Sequence, residues 1–206
     1  MEVKMGVVSF QGDVEEHLAA SNEALKKTGV RGTVSTVKLP EEIENIDAVI
    51  IPGGESTVMG RLSTYRRSLD LLKSRISEGL PVLGTCAGLI LLAKRVFDRV
   101  VGETGQPTLG VLDILVERNT YGRQRDSFEA QIEIPAFGLR EFRAVFIRAP
   151  GILETGPAVE VLASFAGRAV AVKEANVLGT TFHPELSGST AFHEELLKLA
   201  KQYRAR

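Results

Sequence analysis

The chain has 206 residues, of which 44% are hydrophobic and 25% are charged, the composition of a globular protein with a sizeable core, and we expect one domain over 1–206. Its 25 lysines and arginines nearly balance 26 acids, so the net charge of −1 provides no general attraction for nucleic acid or a membrane surface. The single cysteine excludes an internal disulfide, and the three scattered histidines show no zinc-ligand spacing.

The amino-terminal half of the chain alternates short apolar runs with amphipathic segments. Residues 3–10 (VKMGVVSF) predict a buried strand. After Asp13, a candidate N-cap, Val14, Leu18 and Leu25 fall on one face of a predicted helix. Further strands are predicted at 32–39, 47–54 and 80–86, and further helices at about 64–78 and 87–96. This alternation predicts a parallel sheet with helices on both faces.

The carboxyl-terminal half has a different sequence pattern. After about residue 108, short runs of β-branched and aromatic residues follow one another with turns between them, which predicts strands added in antiparallel fashion to the parallel core. A final amphipathic helix is predicted at about 189–203. Together the two halves predict an α/β fold with a central mixed, mostly parallel sheet flanked by helices.

Neither an export signal nor a membrane span is predicted. Glu2 and Lys4 lie where a signal peptide needs an apolar run. No stretch of the sequence approaches the roughly 18 apolar residues that a spanning helix requires. We therefore expect the protein to act in the cytoplasm.

The cysteine lies where a predicted strand meets a predicted buried helix. Its frame, Gly84-Thr85-Cys86-Ala87-Gly88, fits a nucleophile elbow, a sharp turn that exposes one side chain and leaves no room for large neighbours. Free N–H groups at the start of the following helix favour a thiolate. A lone intracellular cysteine is more often a small buried hydrophobic residue. The glycine frame is what favours a nucleophile here.

A thiolate nucleophile needs a base, and His183 is the strongest candidate. It ends the apolar run 177–182, so it lies at the carboxyl end of a predicted strand, where open α/β sheets place their sites. A proline stiffens the next turn, and Glu185 beyond it can set the tautomer of the imidazole. A strand-ending turn with a solvated acid is the alternative. His17 and His193, each beside two glutamates on a predicted helix, are expected to be exposed.

Attack on an amide creates an oxyanion, which needs N–H donors already in place. The N–H of Ala87, directly after the cysteine, is one candidate. A second is Gly54, in the segment 52–57 (PGGEST) that follows a buried strand, because paired glycines permit a close backbone approach. A phosphate cradle is the rival interpretation, but no lysine follows the glycines as in a P-loop. A plain turn without a functional role is the third interpretation of this segment.

An amino-acid substrate also carries an α-carboxylate, for which arginine is the natural partner. Four arginines lie at or near the ends of predicted strands: Arg118, Arg123, Arg125 and Arg148. Most surface arginines are merely solvated, and sequence spacing does not distinguish which of the four enters a pocket.

The motifs GTCAG and HPE resemble those of the triad-type (class I) glutamine amidotransferases, which are cysteine amidases with a flavodoxin-like fold. More specific strings are similar to the glutaminase subunits of pyridoxal 5′-phosphate synthases. These strings are SFQGDVEEH (9–17), PGGEST (52–57), RNTYGRQRDSFEA (118–130), FIRAP (146–150) and FHPEL (182–186). The resemblance extends from the first strand to the last helix. Tyr121 is a mild departure, since phenylalanine is expected there.

The resemblance implies that the chain hydrolyses L-glutamine to L-glutamate and passes the ammonia to a separate synthase subunit. That subunit would combine it with a pentose phosphate and a triose phosphate to make pyridoxal 5′-phosphate (vitamin B6). Because this compound is the product of the complex, no cofactor is implied for this chain, nor any metal, nucleic acid or membrane partner. The Gln11-Gly12 segment matches a motif near the pocket and the synthase interface, and the glutaminase is implied to be weak until it docks.

The resemblance also assigns roles residue by residue. Cys86, His183 and Glu185 match the catalytic triad of the family. The implied oxyanion hole consists of the N–H groups of Gly54 and Ala87. The implied glutamine-binding residues are Gly54, Glu55, Ser56, Arg118, Ile147 and Arg148.

Three other interpretations stay open. Relatives of the DJ-1 and PfpI proteins also place a cysteine at an elbow, but they usually put histidine directly after it, where this chain has Ala87. A flavodoxin-like binding or regulatory module would fit if Cys86 were buried and inert. Among amidotransferases, the chain could serve another synthase, such as the anthranilate or imidazole glycerol phosphate enzyme.

Overall fold

The computed structural model describes residues 2–10, 12–54, 66–118, 120 and 127–205. In these residues the chain forms the strands β1 (Val3–Val8), β2 (Gly32–Val37), β3 (Ala48–Ile51), β4 (Val82–Thr85), β5 (Ala93–Asp98), β6 (Gly102–Glu103), β7 (Leu112–Glu117), β8 (Phe128–Ile134), β9 (Leu139–Phe146), β10 (Gly151–Thr155), β11 (Glu160–Phe165), β12 (Arg168–Glu174) and β13 (Val177–Thr180). The helices are α1 (Val14–Thr28), α2 (Pro40–Ile43), α3 (Arg66–Ser77), α4 (Ala87–Leu92) and α5 (Ala191–Arg204).

Seven of the strands form one large sheet. Strands β2, β1, β3, β4 and β13 lie side by side in that order and run parallel. Strands β12 and β11 continue the sheet beyond β13 in antiparallel fashion. The prediction of a mixed, mostly parallel sheet is confirmed.

Apolar side chains fill both faces of this sheet, because successive residues of a strand point to opposite sides. On one face Met5 and Ile50 belong to a core that includes buried residues of α1 and α5. On the other face Val49 and Val82 belong to a core that includes buried residues of α3 and α4. Helices therefore cover both faces, as predicted. Within the described residues, none of the helices is long and apolar enough to cross a membrane.

The predicted helix 87–96 is wrong over its second half. Helix α4 ends at Leu92, and the next six residues form β5. Lys94 and Arg95 are exposed, whereas a helix buried all round would have had to bury both charges. Pairing of β5 with β7 in parallel instead satisfies the peptide groups of this stretch.

The prediction that strands after residue 108 join the parallel core in antiparallel fashion holds for β11 and β12. It is wrong for β13, which joins the sheet parallel to β4, and for β7 to β10, which lie outside the large sheet. Strands β10, β7, β5 and β6 form a second sheet in that order, and β8 pairs with β9 in a hairpin. Leu112 and Val116 of β7 join the core on the α4 side, whereas Phe142 and Phe146 of β9 join the opposite core. These strands cover the faces of the large sheet instead of lengthening its edge.

The carboxyl ends of four parallel strands meet at one edge of the sheet. Gly12, Gly53, Cys86 and His183 each follow one of the strands β1, β3, β4 and β13 by no more than a few residues. Because parallel neighbours end side by side, their loops converge, and this is where open α/β sheets bind their ligands.

Candidate active site

Cys86 occupies a strained junction between β4 and α4. Its φ of 50° and ψ of −104° lie in a region that L-residues rarely adopt. A Cβ on Gly88 would overlap the carbonyl oxygen of Ile51, and a Cβ on Gly84 would lie 2.8 Å from the carbonyl oxygen of Gly88. The flanking glycines thus let the turn pack against β3 with the cysteine held at its tip. The Sγ atom lies 3.7 Å from the carbonyl oxygen of Ile147.

His183 follows β13 in an extended conformation, and its N–H donates to the carbonyl oxygen of Val145 (2.9 Å). The next three residues form a short 3₁₀ turn that carries Glu185 back towards the imidazole. The Nδ1 atom of His183 lies 2.7 Å from Oε1 of Glu185, whose side chain is fully buried. A buried carboxylate at this distance fixes the ring orientation and places the proton on Nδ1.

Asp13 provides a second carboxylate at the same nitrogen. It lies at the N-cap position of α1, as predicted, but makes no capping hydrogen bond through its side chain. Its Oδ2 atom instead lies 3.0 Å from Nδ1 of His183. Asp13, His183 and Glu185 are close enough to hold a metal ion, but an N–H on Nδ1 shared by two carboxylates accounts for the same distances. Sequence reasoning missed this contact because it gave Asp13 a purely local role.

The surroundings of His183 favour its charged form. Burial alone lowers the pKa of His183, but its hydrogen bonds with Asp13, Cys86 and Glu185 outweigh burial and raise that pKa to about 12. Burial also raises the pKa of Glu185, against the lowering effect of the neighbouring imidazole. An imidazolium next to a cysteine sulfur pairs with the thiolate and carries the proton that a leaving amine needs.

The glycine turn after β3 lies against these side chains. A Cβ on Gly53 would lie 2.6 Å from Cε1 of His183 and 3.2 Å from Cβ of Cys86. Gly12, with a φ of 110°, packs so tightly on Gly53 that a Cβ would overlap the carbonyl oxygen of Gly53. Gly54 therefore directly follows a residue that touches the cysteine and the histidine, in keeping with its predicted role as an oxyanion donor.

The structure brings some of the other predicted substrate residues to the site. Ile147 contacts Cys86 through its carbonyl oxygen, and Arg148, next to it, has a φ of 46°. Arg118 follows β7 in the second sheet, where its Nη1 donates to Oε1 of Gln106 (3.5 Å). Several predicted residues lie outside the described part of the chain: Gln11, Glu55, Ser56, Tyr121, Arg123 and Arg125.

The site combines a cysteine at an elbow, a histidine held by a buried carboxylate and a glycine turn beside them, an arrangement that suits acyl transfer from an amide. The sequence profile of the SNO glutamine amidotransferase family matches residues 7–201. The chain belongs to this family. The resemblance inferred from the motifs is thereby confirmed.

Similar proteins from the family cover nearly the whole chain. The pyridoxal 5′-phosphate synthase subunit PdxT of Nitrosopumilus maritimus (strain SCM1) is 45% identical over 202 residues, 98% of each chain. The PdxT of Saccharolobus islandicus (strain M.14.25 / Kamchatka #1) is 47% identical over 199 residues, 97% of this chain and 100% of the relative.

Solved structures show the same architecture. One described as a glutamine amidotransferase has a TM-score of 0.81 and 42% identity, covering 96% of this chain and 98% of its own. A glutamine amidotransferase of Thermotoga maritima has a TM-score of 0.62 at 14% identity, covering 100% of this chain and 87% of its own, and shares the fold.

The expectation that His17 and His193 are exposed is wrong for this SNO-family chain. Both are fully buried. They lie on the inner faces of α1 and α5, and their ring atoms Nδ1 (His17) and Nε2 (His193) are 3.1 Å apart. The signal that could have revealed His17 is its spacing of three, four and seven residues from Ala20, Ser21 and Ala24, a face of small residues that suits close packing.

Proposed function

We propose that this SNO-family chain hydrolyses L-glutamine to L-glutamate and ammonia and delivers the ammonia to the synthase subunit of pyridoxal 5′-phosphate synthase. The observation that carries the proposal is Cys86 at a strained elbow beside His183, whose Nδ1 lies 2.7 Å from Glu185. Sequence identity of 45% and 47% to two PdxT subunits over nearly the full chain favours this synthase over the anthranilate and imidazole glycerol phosphate enzymes.

The reaction begins with the proton of the Cys86 thiol on His183. The thiolate attacks the side-chain carbonyl carbon of glutamine, and the carbonyl oxygen takes the negative charge while the N–H groups of Gly54 and Ala87 donate to it. The tetrahedral intermediate collapses as the C–N bond breaks, and His183 gives its proton to the departing ammonia. Glu185 holds the imidazole in place throughout.

The second half of the reaction regenerates the free nucleophile. Neutral His183 now takes a proton from a water molecule, and the oxygen attacks the thioester carbon through a second oxyanion at the same N–H groups. The C–S bond breaks, glutamate leaves, and the proton stays on His183, which restores the thiolate–imidazolium pair. Glutamine is held by the residues that the family motifs assign to it, namely Gly54, Glu55, Ser56, Arg118, Ile147 and Arg148.

This chemistry also bears on the cofactors, the cellular compartment and the partners of the protein. The reaction uses no cofactor and no metal, since nucleophile, base and oxyanion donors all come from the chain. Residues 1–206 make up one glutaminase domain, because the large sheet contributes to both apolar cores. We place the protein in the cytoplasm, where reducing conditions keep the thiol of Cys86 free to react. Its partners are L-glutamine and the synthase subunit that consumes the ammonia.

The test mixes the chain with the pyridoxal 5′-phosphate synthase subunit, both sugar phosphates and glutamine, and follows glutamate and pyridoxal 5′-phosphate. The wild-type chain should yield both products, and the Cys86→Ala variant should yield neither. An ammonium salt should restore pyridoxal 5′-phosphate to the mutant mixture, which shows an intact synthase. Glutamate release by the variant would contradict the assignment of Cys86. If another synthase subunit activates glutamine hydrolysis and this one does not, the proposed partner is wrong.

A further inference from the structure

Behind the triad lies a chain of buried polar side chains that the reaction does not use. The Nε2 atom of His17 lies 3.1 Å from Oγ1 of Thr85 and 3.3 Å from Oε2 of Glu185. Its Nδ1 atom lies 3.1 Å from Nε2 of His193. All four residues have fully buried side chains or are themselves fully buried. Among the described residues Oε2 of Glu185 has no hydrogen-bond partner, and the imidazole of His17, at 3.3 Å, is the polar group that faces it.

The same threonine connects His17 to the glycine turn. The N–H of Gly53 donates to Oγ1 of Thr85 (3.0 Å), and Thr85 directly precedes the nucleophile. Gly53 in turn precedes Gly54, the proposed oxyanion donor. One imidazole therefore contacts both the carboxylate that orients the base and the hydroxyl that anchors the oxyanion segment.

The positions of the protons follow from counting donors and acceptors. Burial lowers the pKa of both His17 and His193, so both rings are neutral and each carries one N–H. A proton on Nε2 of His17 faces two oxygen atoms, those of Thr85 and Glu185. Nδ1 of His17 then accepts from Nε2–H of His193, which leaves only a lone pair without a partner, on Nδ1 of His193.

The opposite tautomers would let the Thr85 hydroxyl donate to Nε2 of His17, but they are less favourable at Glu185 and at His193. A proton on Nδ1 of His17 would turn a lone pair towards the buried Oε2 of Glu185 at 3.3 Å. It would also force the proton of His193 onto its Nδ1, where no described group accepts it. This arrangement costs more, because it buries an N–H of His193 without an acceptor and repels the carboxylate of Glu185. The network thus places the N–H of His17 on Nε2, where it donates to Thr85 and faces Oε2 of Glu185 at 3.3 Å.

We propose that His17 is a positioning residue for the glutaminase reaction. Its Nε2–H donates to Thr85, which anchors the glycine turn, and lies 3.3 Å from the second oxygen of Glu185, where the dipole of the ring stabilises the carboxylate, while His193 sets the tautomer of His17. This inference rests on the proposed function. His17 itself touches neither substrate nor the reacting atoms. Its substitution should therefore change kcat and the pKa of Glu185.

Two substitutions of His17 separate positioning from packing. In His17→Gln the side-chain amide can place an N–H near the former Nε2, whereas in His17→Asn the shorter amide reaches only the former Nδ1. Measured as glutamate release in the complex with the synthase subunit, His17→Asn should lower kcat by roughly 10–100-fold, the scale of losing a group that orients an active-site residue. The KM for glutamine should change little, and His17→Gln should retain much of kcat.

The pH profile provides a second reading of the same variants. Removing a nearby N–H dipole from a carboxylate raises its pKa, because the charged form loses a favourable electrostatic contact. The acid limb of kcat should therefore move to higher pH in His17→Asn and stay near the wild-type position in His17→Gln. Asp13 and His183, which also face Glu185, are unchanged in both variants, and thermal unfolding checks that both are folded.

The outcomes are distinguishable from those of the proposed function. If the wild-type complex releases no glutamate, the glutaminase assignment fails. If the wild type is active but the glutamine and asparagine variants have equal kcat and equal acid limbs, His17 does not position Glu185. A loss in both variants that tracks a lower unfolding temperature, with no shift of the acid limb, would likewise overturn the inference.

Discussion

At the scale of single residues, two carboxylates share the N–H on Nδ1 of His183, and their contributions to the orientation and the pKa of the ring differ. Glu185 is closer, at 2.7 Å, and its side chain is fully buried, whereas Asp13 is at 3.0 Å and its side chain is 37% exposed. A buried acceptor holds the ring in a low-dielectric setting, while an exposed one is screened by water. Glu185 should therefore control the orientation of the ring, and Asp13 should mainly add charge.

Conservative amides at the two positions should separate these roles. Glu185→Gln is expected to lower kcat by roughly 10³–10⁴-fold, because an amide facing Nδ1 supports the wrong tautomer of the base. Asp13→Asn should lower kcat by less than about 10-fold, since Glu185 still orients the ring, and should lower the pKa of His183 by removing a negative charge. Glutamate release by the complex across pH measures both effects. Equal losses in the two variants would contradict this division.

How far the sequence predicts the site depends on whether a residue's role is local. The placement of Cys86 and His183 at the edge of the sheet was predictable because each follows a strand within a tight turn, and a turn is encoded by its neighbours. His17 and His193 were misjudged because adjacent glutamates indicate an exposed face, while the opposite evidence is a contact across 176 positions of sequence. The contact of Asp13 with His183 is likewise tertiary, so no local pattern contains it.

At the scale of elements, the elbow depends on the fit between α4 and β3. The helix begins directly after Cys86, and Gly88 in its first turn packs on the backbone of Ile51. Because backbone cannot swing aside as a side chain can, any Cβ at Gly88 must push α4 away from the sheet and carry Cys86 with it. The strands of the central sheet were predictable from their own apolar runs. The switch from α4 to β5 was not, because it depends on pairing with β7.

Alanine at this glycine tests the fit. Gly88→Ala is expected to lower the free energy of unfolding by about 3 kcal/mol, through overpacking against backbone. Gly102→Ala is the control, because its Cβ would meet open space and the positive φ of 79° should cost only about 1 kcal/mol. Denaturant unfolding gives both values. Glutamate release should be lost in the first variant and unchanged in the second; the reverse pattern would show that α4 does not set the position of Cys86.

At the scale of the whole molecule, the buried histidines join elements from both ends of the chain. His17 lies on α1, His193 on α5, Thr85 at the end of β4 and Glu185 after β13. Neutral imidazoles in this position make the fold sensitive to acid. The pKa of His193 is lowered by burial to about 4, so between the ordinary pKa of histidine and that value the unfolded chain binds a proton that the folded chain does not.

The contribution of His17 and His193 to stability should therefore fall as the pH falls below about 6.5, the ordinary pKa of histidine, while the raised pKa of His183 acts in the opposite direction. For His193 alone, the free energy of unfolding should drop by about 2 kcal/mol between pH 7 and pH 5, and His17 adds to this loss. His193→Gln keeps a donor near Nε2 but cannot titrate, so its stability should fall less over that range. Denaturant unfolding at the two pH values measures the difference; identical losses in wild type and variant would show that His193 does not remain neutral in the fold.

The most direct measurement of the central claim is covalent labelling of the complex by a glutamine-analogue electrophile, read by intact mass and peptide mapping. The wild-type chain should gain one adduct, located on Cys86, at a rate that glutamine slows. His183→Ala should label much more slowly, while His17→Gln should label at nearly the wild-type rate. Labelling that glutamine does not slow, or that proceeds equally fast without His183, would contradict a thiolate nucleophile acting on glutamine with His183 as its base.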